Sequence, residues 1–357
     1  MKILILNWRD IKNPAWGGAE IFTHEIARRL AANGHEVTVF AAAFPGCRGE
    51  EEIEGYRVVR RGGKHTIYLH AALGYFTRFR GNVDLVVDEI NGIPFFTPLY
   101  VSERKVFVVF HIVGRIWFLE FARPFADVLF RLEKAALWLY RGIPTIAISQ
   151  STKKDLLGSG MRDVRVLRLG VNTPRLERPA RKEPFLFVFV GRLKKAKRPD
   201  HCVLAMEIFC RKFPKARLKI IGTGDVAVEA QLRRLVAEKG LGGNVELLGH
   251  IPEKDKNRIV ASAQAILVPS VREGWGLIVT EANAVGTPAI GYDVNGLRDS
   301  ITNGVNGFLV PDGSAQGIAK AMEKAMEKSN TMPVSSIRAS RAYSWDSCAE
   351  SFEKIPD

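Results

Sequence analysis

The chain has 357 residues, 46% of them hydrophobic and 25% charged, with a formal net charge of +14. That length predicts two domains rather than one, and the composition fits an ordinary globular protein rather than a disordered one. No uninterrupted apolar run approaches the length that spans a bilayer, and the basic excess is spread over both halves, which disfavours a nucleic-acid partner.

The opening MKILILNW is too short for a secretory apolar region and runs into a polar loop, so it reads as a first strand. AEIFTHEIARRLAANG follows as a helix, with Ile21, Phe22, Ile26, Ala27 and Leu30 on one face and Gly34 as the stop. EVTVFAA, VDLVVDE, KVFVVFH, PTIAIS and VRVLRLG then read as strands. TPRLERPARKEP, with Pro174, Pro179 and Pro184, continues neither strand nor helix and is placed as a linker over residues 173–184.

A second alternation starts beyond it: FLFVFVG, KARLKIIGTG, NVELLGH, AQAILVPS, PAIGYDV and GFLVP. Helical patterns intervene at Pro199–Phe213, Val226–Lys239, Glu253–Ala261, Leu277–Val285 and Ser314–Lys328. After Met332 a polar stretch leads to the amphipathic SWDSCAESFEKI. The expected fold class is α/β, with domains at 1–172 and 185–332 and a tail at 333–357. Both halves read as open parallel sheets, which bind ligands beyond the carboxyl ends of their strands. Two such domains leave a cleft suited to two substrates.

Cys47, Cys202, Cys210 and Cys348 lack any C-x-x-C spacing, which predicts reduced thiols in a cytoplasmic protein and no zinc site. His24, His35, His65, His70, His201 and His250 read as structural or surface residues.

Three stretches carry candidate chemistry. FLFVFV runs into GRLKKAK, which sets Arg192 and Lys197 just past a strand, where a planar fork and a compact charge suit phosphate oxygens. The G-x-G of IIGTGD is weak evidence alone, and no full G-x-G-x-x-G is present, which argues against a nicotinamide or flavin dehydrogenase. In REGWGLIVTE, Glu273 and Glu281 bracket Gly274, Trp275, Gly276 and Leu277 at an expected helix start. Free amides at such a start attract an anion. Two carboxylates fit beside it when each accepts hydroxyls on either side of a phosphate, the layout of a nucleotide-sugar. Trp275 either packs on the sugar or fills the loop, and Asp299 in GLRDSI is open between capping and pairing.

The segment PSVREGWGLIVTEANAVGTPAIGYDVNGLRDSITNGVNGFLV resembles the E-x7-E donor signature of retaining glycosyltransferase family 4. GRLKKAK resembles that family's basic diphosphate motif, NPAWGGAE its N-terminal glycine loop, and SWDSCAESF its closing helix. The resemblance covers nearly the whole chain and is loosest between about Cys47 and Tyr140. It implies the GT-B fold, two Rossmann-like domains facing across a cleft, with the tail crossing back to the first. It implies transfer of a sugar from a nucleotide-sugar with retention, by front-face attack in which the leaving phosphate takes the acceptor's proton.

By that match Glu281 holds the ribose and Glu273 touches the sugar hydroxyls. Arg192 and Lys197 neutralise the diphosphate, His111 contacts the donor sugar near the reacting carbon, and Gly17 and Gly18 lie near diphosphate and acceptor. No D-x-D stands in a plausible metal loop, so no metal and no cofactor is expected. Two other readings stay open: another GT-B enzyme, such as a nucleotide-sugar epimerase or a pyridoxal-phosphate phosphorylase, or a non-catalytic nucleotide-sugar-binding subunit.

On the acceptor side, Arg57–His65 and Arg78–Gly81 are basic. Arg115–Gly142 mixes Trp117, Phe118, Phe121, Phe125, Trp138 and Tyr140 with arginine and lysine. The last reads either as a buried helix or as a face lying on an anionic membrane at a lipid-linked acceptor, on the inner side of the cytoplasmic membrane.

Overall fold

Apolar strands alternating with amphipathic helices build two sheets in the computed structural model, which describes residues 1–90 and 92–355. The chain divides into two units, one spanning residues 1–170 with the segment from Ser344, the other spanning Val171–Tyr343.

In the first unit the strands are β1 (Lys2–Leu6), β2 (Glu36–Ala41), β3 (Glu50–Ile53), β4 (Tyr56–Arg60), β5 (Leu85–Ile90), β6 (Arg104–Val109), β7 (Thr145–Ala147) and β8 (Val164–Val166). They lie in the order β3-β4-β2-β1-β5-β6-β7-β8, parallel except for β3 against β4. The helices are α1 (Gly18–Ala32), α2 (Ile67–Gly74), α3 (Trp117–Glu120), α4 (Arg123–Leu139) and α5 (Gln150–Gly158).

The second unit holds β9 (Leu186–Val190), β10 (Arg217–Ile221), β11 (Val245–Gly249), β12 (Ala265–Val268), β13 (Ala289–Tyr292) and β14 (Gly307–Val310) in the parallel order β11-β10-β9-β12-β13-β14. Its helices are α6 (Pro199–Cys210), α7 (Val226–Glu238), α8 (Glu253–Ser262), α9 (Leu277–Ala284), α10 (Leu297–Ser300), α11 (Ala315–Glu327) and α12 (Met332–Ser340). Phe187 and Phe189 of β9 enter one core with Met206 and Met322, while Leu186 and Val188 enter another with Val279 and Ile301. Both sheet faces are therefore covered, which is why FLFVFV reads as a continuous apolar run.

The last helix, α13 (Trp345–Glu353), belongs to the first unit. Its Trp345 lies against Gly170 so closely that a Cβ there would sit 2.2 Å from the indole Cγ, and it meets the Phe22 ring of α1 at 6.4 Å. Arg29 of α1 donates to Asp346 at 2.6 Å, and Asn33 to Glu353 at 2.8 Å.

Three local readings change. Residues from Met332 form α12 before the polar turn; it packs on α9, and its Ser336 and Ile337 are buried. Arg115–Gly142 is two helices, split where Phe121 and Ala122 turn extended before Pro124 in the first turn of α4. The basic run Arg57–His65 begins as strand β4, and its arginines are already engaged. Arg60 is buried between Asp10 (2.7 Å) and Glu51, and Arg61 and Arg78 pair with Glu50 at 2.7 and 2.9 Å.

Candidate functional site

In the second sheet the chain leaves β9 towards β10 on one side and returns to β12 on the other. The carboxyl ends of β9 and β12 are thus the point where strand order reverses, the place where open α/β sheets bind ligands. Two of the stretches singled out from sequence emerge there. GRLKKAK follows β9, with Arg192 exposed and a 3-10 turn at Lys195–Lys197. VREGWG follows β12 and opens α9.

The two loops touch. Lys197 Nζ donates to Glu273 Oε1 at 2.5 Å, Ser270 Oγ donates to the same oxygen at 2.6 Å, and the Val271 amide donates to the Ala196 carbonyl at 2.9 Å. An ammonium beside Glu273 offsets the repulsion that a bare carboxylate would exert on a nearby phosphate. Glu273 is fixed from its other side by Gly296. The Glu273 amide donates to Asn295 O, and a Cβ on Gly296 would stand 2.2 Å from the Glu273 carbonyl oxygen. Asp299 caps its own helix, accepting from the Gly296 amide at 3.2 Å.

Gly276 is the N-cap of α9 with φ +86°, a conformation that favours glycine, and Leu277 is the first helical residue. The first-turn amides of α9 therefore face the same strand-end region as Gly274. Trp275 takes the loop-filling role. It is 7% exposed, and its ring meets Tyr343 edge-on at 5.3 Å.

Glu281 lies one turn into α9. Burial pushes its carboxyl up, and Lys256 of α8, 3.7 Å away, opposes that; Glu253 also holds Lys256, at 2.6 Å. The G-x-G of IIGTGD, weak in sequence, proves to be a packing device. A Cβ on Gly222 would lie 2.1 Å from Gly191 O, and one on Gly224 would lie 2.3 Å from Leu193 O. The amides of Gly191, Leu193 and Asp225 zip the two strand-end loops together at 3.0, 3.0 and 2.9 Å.

In the first unit the order reverses between β1 and β5. Gly17 caps α1 and Gly18 begins it, directly after the loop from β1. The Gly17 amide donates to Glu20 Oε2 at 2.6 Å, and Arg9 donates to Glu20 Oε1 at 2.9 Å. Beneath them Asn7 reaches Thr23 and Glu89 at 2.6 and 2.8 Å, and burial pushes the Glu89 carboxyl up to about 8. His111 stands half-buried two residues past β6.

Glu20, Glu89, Ser270, Lys256 and Gly296 were not read from the sequence. Only Glu20 carried a usable signal, since it stands three residues after the Gly17 cap, the capping-box position. Among the described residues, no three His, Cys, Asp or Glu side chains group as a metal site.

Two family models match the chain: glycosyltransferase family 4 over residues 16–175, and glycosyl transferases group 1 over residues 174–342. A D-inositol 3-phosphate glycosyltransferase of Corynebacterium aurimucosum is 30% identical over 174 residues, 47% of this chain and 41% of that protein. The chain thus spans less than half of that relative's length. An uncharacterized glycosyltransferase of Methanocaldococcus jannaschii is 25% identical over 98% of this chain and 96% of its own length. The structure of Anabaena HepE in complex with UDP-glucose aligns with a TM-score of 0.76 at 17% identity, covering 99% of this chain and 98% of that one. The two units have the sheets and flanking helices of two Rossmann-like domains, and the chain has the GT-B fold and is related to the family 4 and group 1 glycosyltransferases, whose two models together match residues 16–342.

Proposed function

We propose that this protein is a retaining hexosyltransferase that moves a sugar from a UDP- or GDP-sugar to a glycan or lipid-linked acceptor. The observation that carries the reading is the contact at the strand-order reversal of the second unit, where the basic loop after β9 meets Glu273 ahead of the α9 N-terminus. Donor diphosphate suits the ground between Arg192, Lys197 and the first-turn amides of α9. Glu273 then takes the sugar hydroxyls and Glu281 the ribose diol. The family resemblance adds His111 for the sugar and Gly17 and Gly18 for diphosphate and acceptor. That HepE has been captured with UDP-glucose supports a UDP-sugar as the first donor to try.

In the proposed front-face step the bond from the anomeric carbon to the diphosphate oxygen breaks, and the acceptor oxygen bonds to the same face. The acceptor proton passes to the departing phosphate oxygen. The diphosphate gains negative charge as it leaves, and fixed cations aimed at that charge lower the barrier. We also propose that the acceptor is met at the inner face of the cytoplasmic membrane.

The test is nucleotide release over a panel of UDP-, GDP- and ADP-sugars. Release is expected from a UDP- or GDP-sugar, with retained anomeric configuration in the product by NMR. Inverted product would overturn the front-face step, and silence across the whole panel would overturn the transferase reading.

Lys256 supplies a second expected result. Lys256→Met removes the cation that opposes burial at Glu281, so that carboxyl takes up its proton at a higher pH. A protonated carboxyl accepts ribose hydroxyls less well. As pH is lowered, affinity of the variant for the nucleoside diphosphate product is expected to begin falling at a higher pH than that of the parent protein. Parallel pH curves for the two proteins would remove Lys256 from this role.

A further inference from the structure

The first unit exposes apolar side chains in rows that no core contact explains. On α2 and the π-helical turn after it (Tyr75–Phe79), Leu69, Leu73 and Phe76 are 62%, 52% and 51% exposed, spaced as one helical face. On α4, Phe125, Val128 and Leu132 are 54%, 50% and 54% exposed at the same kind of spacing, and Phe118, Leu119 and Phe121 continue the row upstream. The inward faces are separate and already satisfied: Ile67 and Ala71 on α2, and Ala126, Leu129, Ala136 and Leu137 on α4.

The segment 92–100 connects the two rows. Phe95 packs on Tyr68 at 5.1 Å, Tyr100 meets Phe76 at 6.1 Å, and Gly92 lies under the Trp117 ring, which a Cβ there would approach to 3.4 Å. Leu99, on the same segment, is 67% exposed.

The charge around these rows has one dominant sign. No Asp or Glu occurs between Gly55 and Val83. Lys64 and Arg80 are exposed there, and Arg80 lies 5.8 Å over the Phe76 ring. Around α3 and α4, Arg115, Arg123, Arg131 and Lys134 are exposed, against Glu120 and Asp127. Glu133 is buried and spent inside the unit, accepting from the Val113 and Gly114 amides at 2.6 and 2.8 Å.

We infer that the α2 face, the 92–100 segment and the α3–α4 face form a two-part footing for an anionic phospholipid surface. The inference deepens the proposed lipid-linked acceptor and rests on it for its purpose. Aromatic and aliphatic rows sink into the headgroup boundary while the flanking arginines and lysines meet lipid phosphates. A second copy of the chain is the poorer occupant, because a two-fold contact would set these basic rims against themselves. Among the described residues no helix is long and apolar enough to cross a membrane, so the contact would be peripheral.

The test is flotation of the full-length chain with vesicles of phosphatidylcholine alone and of phosphatidylcholine mixed with phosphatidylglycerol. Co-flotation is expected only with the anionic vesicles and is expected to be lost at high salt. Phe125→Ser with Leu132→Ser, and separately Leu73→Ser with Phe76→Ser, are each expected to lower the floated fraction several-fold. Both pairs should keep the parent melting curve and the parent rate of nucleotide release to water or soluble acceptor. Equal flotation with neutral vesicles, no flotation, or a concentration-dependent dimer that the same variants dissolve would overturn the inference. Nucleotide release is read without vesicles, so a failed footing and a failed transferase reading give different results.

Discussion

Arg192→Ala is expected to lower donor turnover by about 10²–10³-fold while the variant melts where the parent protein does. Arg192 is exposed at the end of β9, so its removal disturbs little packing, and surface changes of this kind stay within about 0.5 kcal/mol. Its proposed contribution arises as the diphosphate departs, so the loss should fall on kcat and kcat/KM together. Glu281→Ala should separate from it. Losing a charged acceptor of ribose hydroxyls costs about 1.5–3 kcal/mol, or about 10–100-fold, and should weaken nucleoside diphosphate binding itself. Steady-state turnover and product-binding titrations on the two variants check both. Parental turnover in either one would dismantle the proposed donor site.

Gly222→Ala is expected to damage both stability and turnover, although Gly222 is assigned no contact with donor. Its φ is +127°, a backbone region that side chains rarely adopt, and the added Cβ would stand 2.1 Å from the Gly191 carbonyl oxygen. That neighbour is backbone, so no flexible side chain can swing away. The chain must either relax φ or push the loop after β9 outward, and that loop carries Arg192 and Lys197. Strain of this kind costs about 1–3 kcal/mol, which lowers the melting temperature by about 2–12 °C in a unit of this size. Gly242→Ala is the control: its backbone is unstrained and nothing lies within 4 Å of the added Cβ. A Gly222→Ala protein that matches the Gly242→Ala protein in melting and turnover would show that the zipped loops are not what holds the basic residues in place.

Periodicity and strand-end position made most of the second unit readable. FLFVFVG, AQAILVPS and the helix starting near Leu277 could be placed because apolar runs, a glycine turn and a helix start each have a local cause. What escaped depends on partners far along the chain. Glu50, Glu51 and Glu52 do not look like a strand until β4 supplies Arg57 and Arg60 beside them. The pairing of Lys256 with Glu281 joins two helices and leaves no spacing rule to find it. Trp275 was undecided because only Tyr343, distant in sequence, shows which way its ring turns. Val334, Ser335, Ser336 and Ser340 give α12 weak helix propensity, and its packing on α9 overrides that.

The closing helix α13 has a consequence for how the protein is made. The first unit contains residues 1–170, yet Trp345 fills the space at Gly170 and meets Phe22, so that unit lacks a wall until the segment from Ser344 leaves the ribosome. The second unit is one unbroken stretch, Val171–Tyr343, with every strand and helix it needs. Domains tend to fold as units during synthesis. Here the half translated later is the first to have all its parts. The half translated first must wait, with α1 uncovered, for α13, which follows the whole of the second unit.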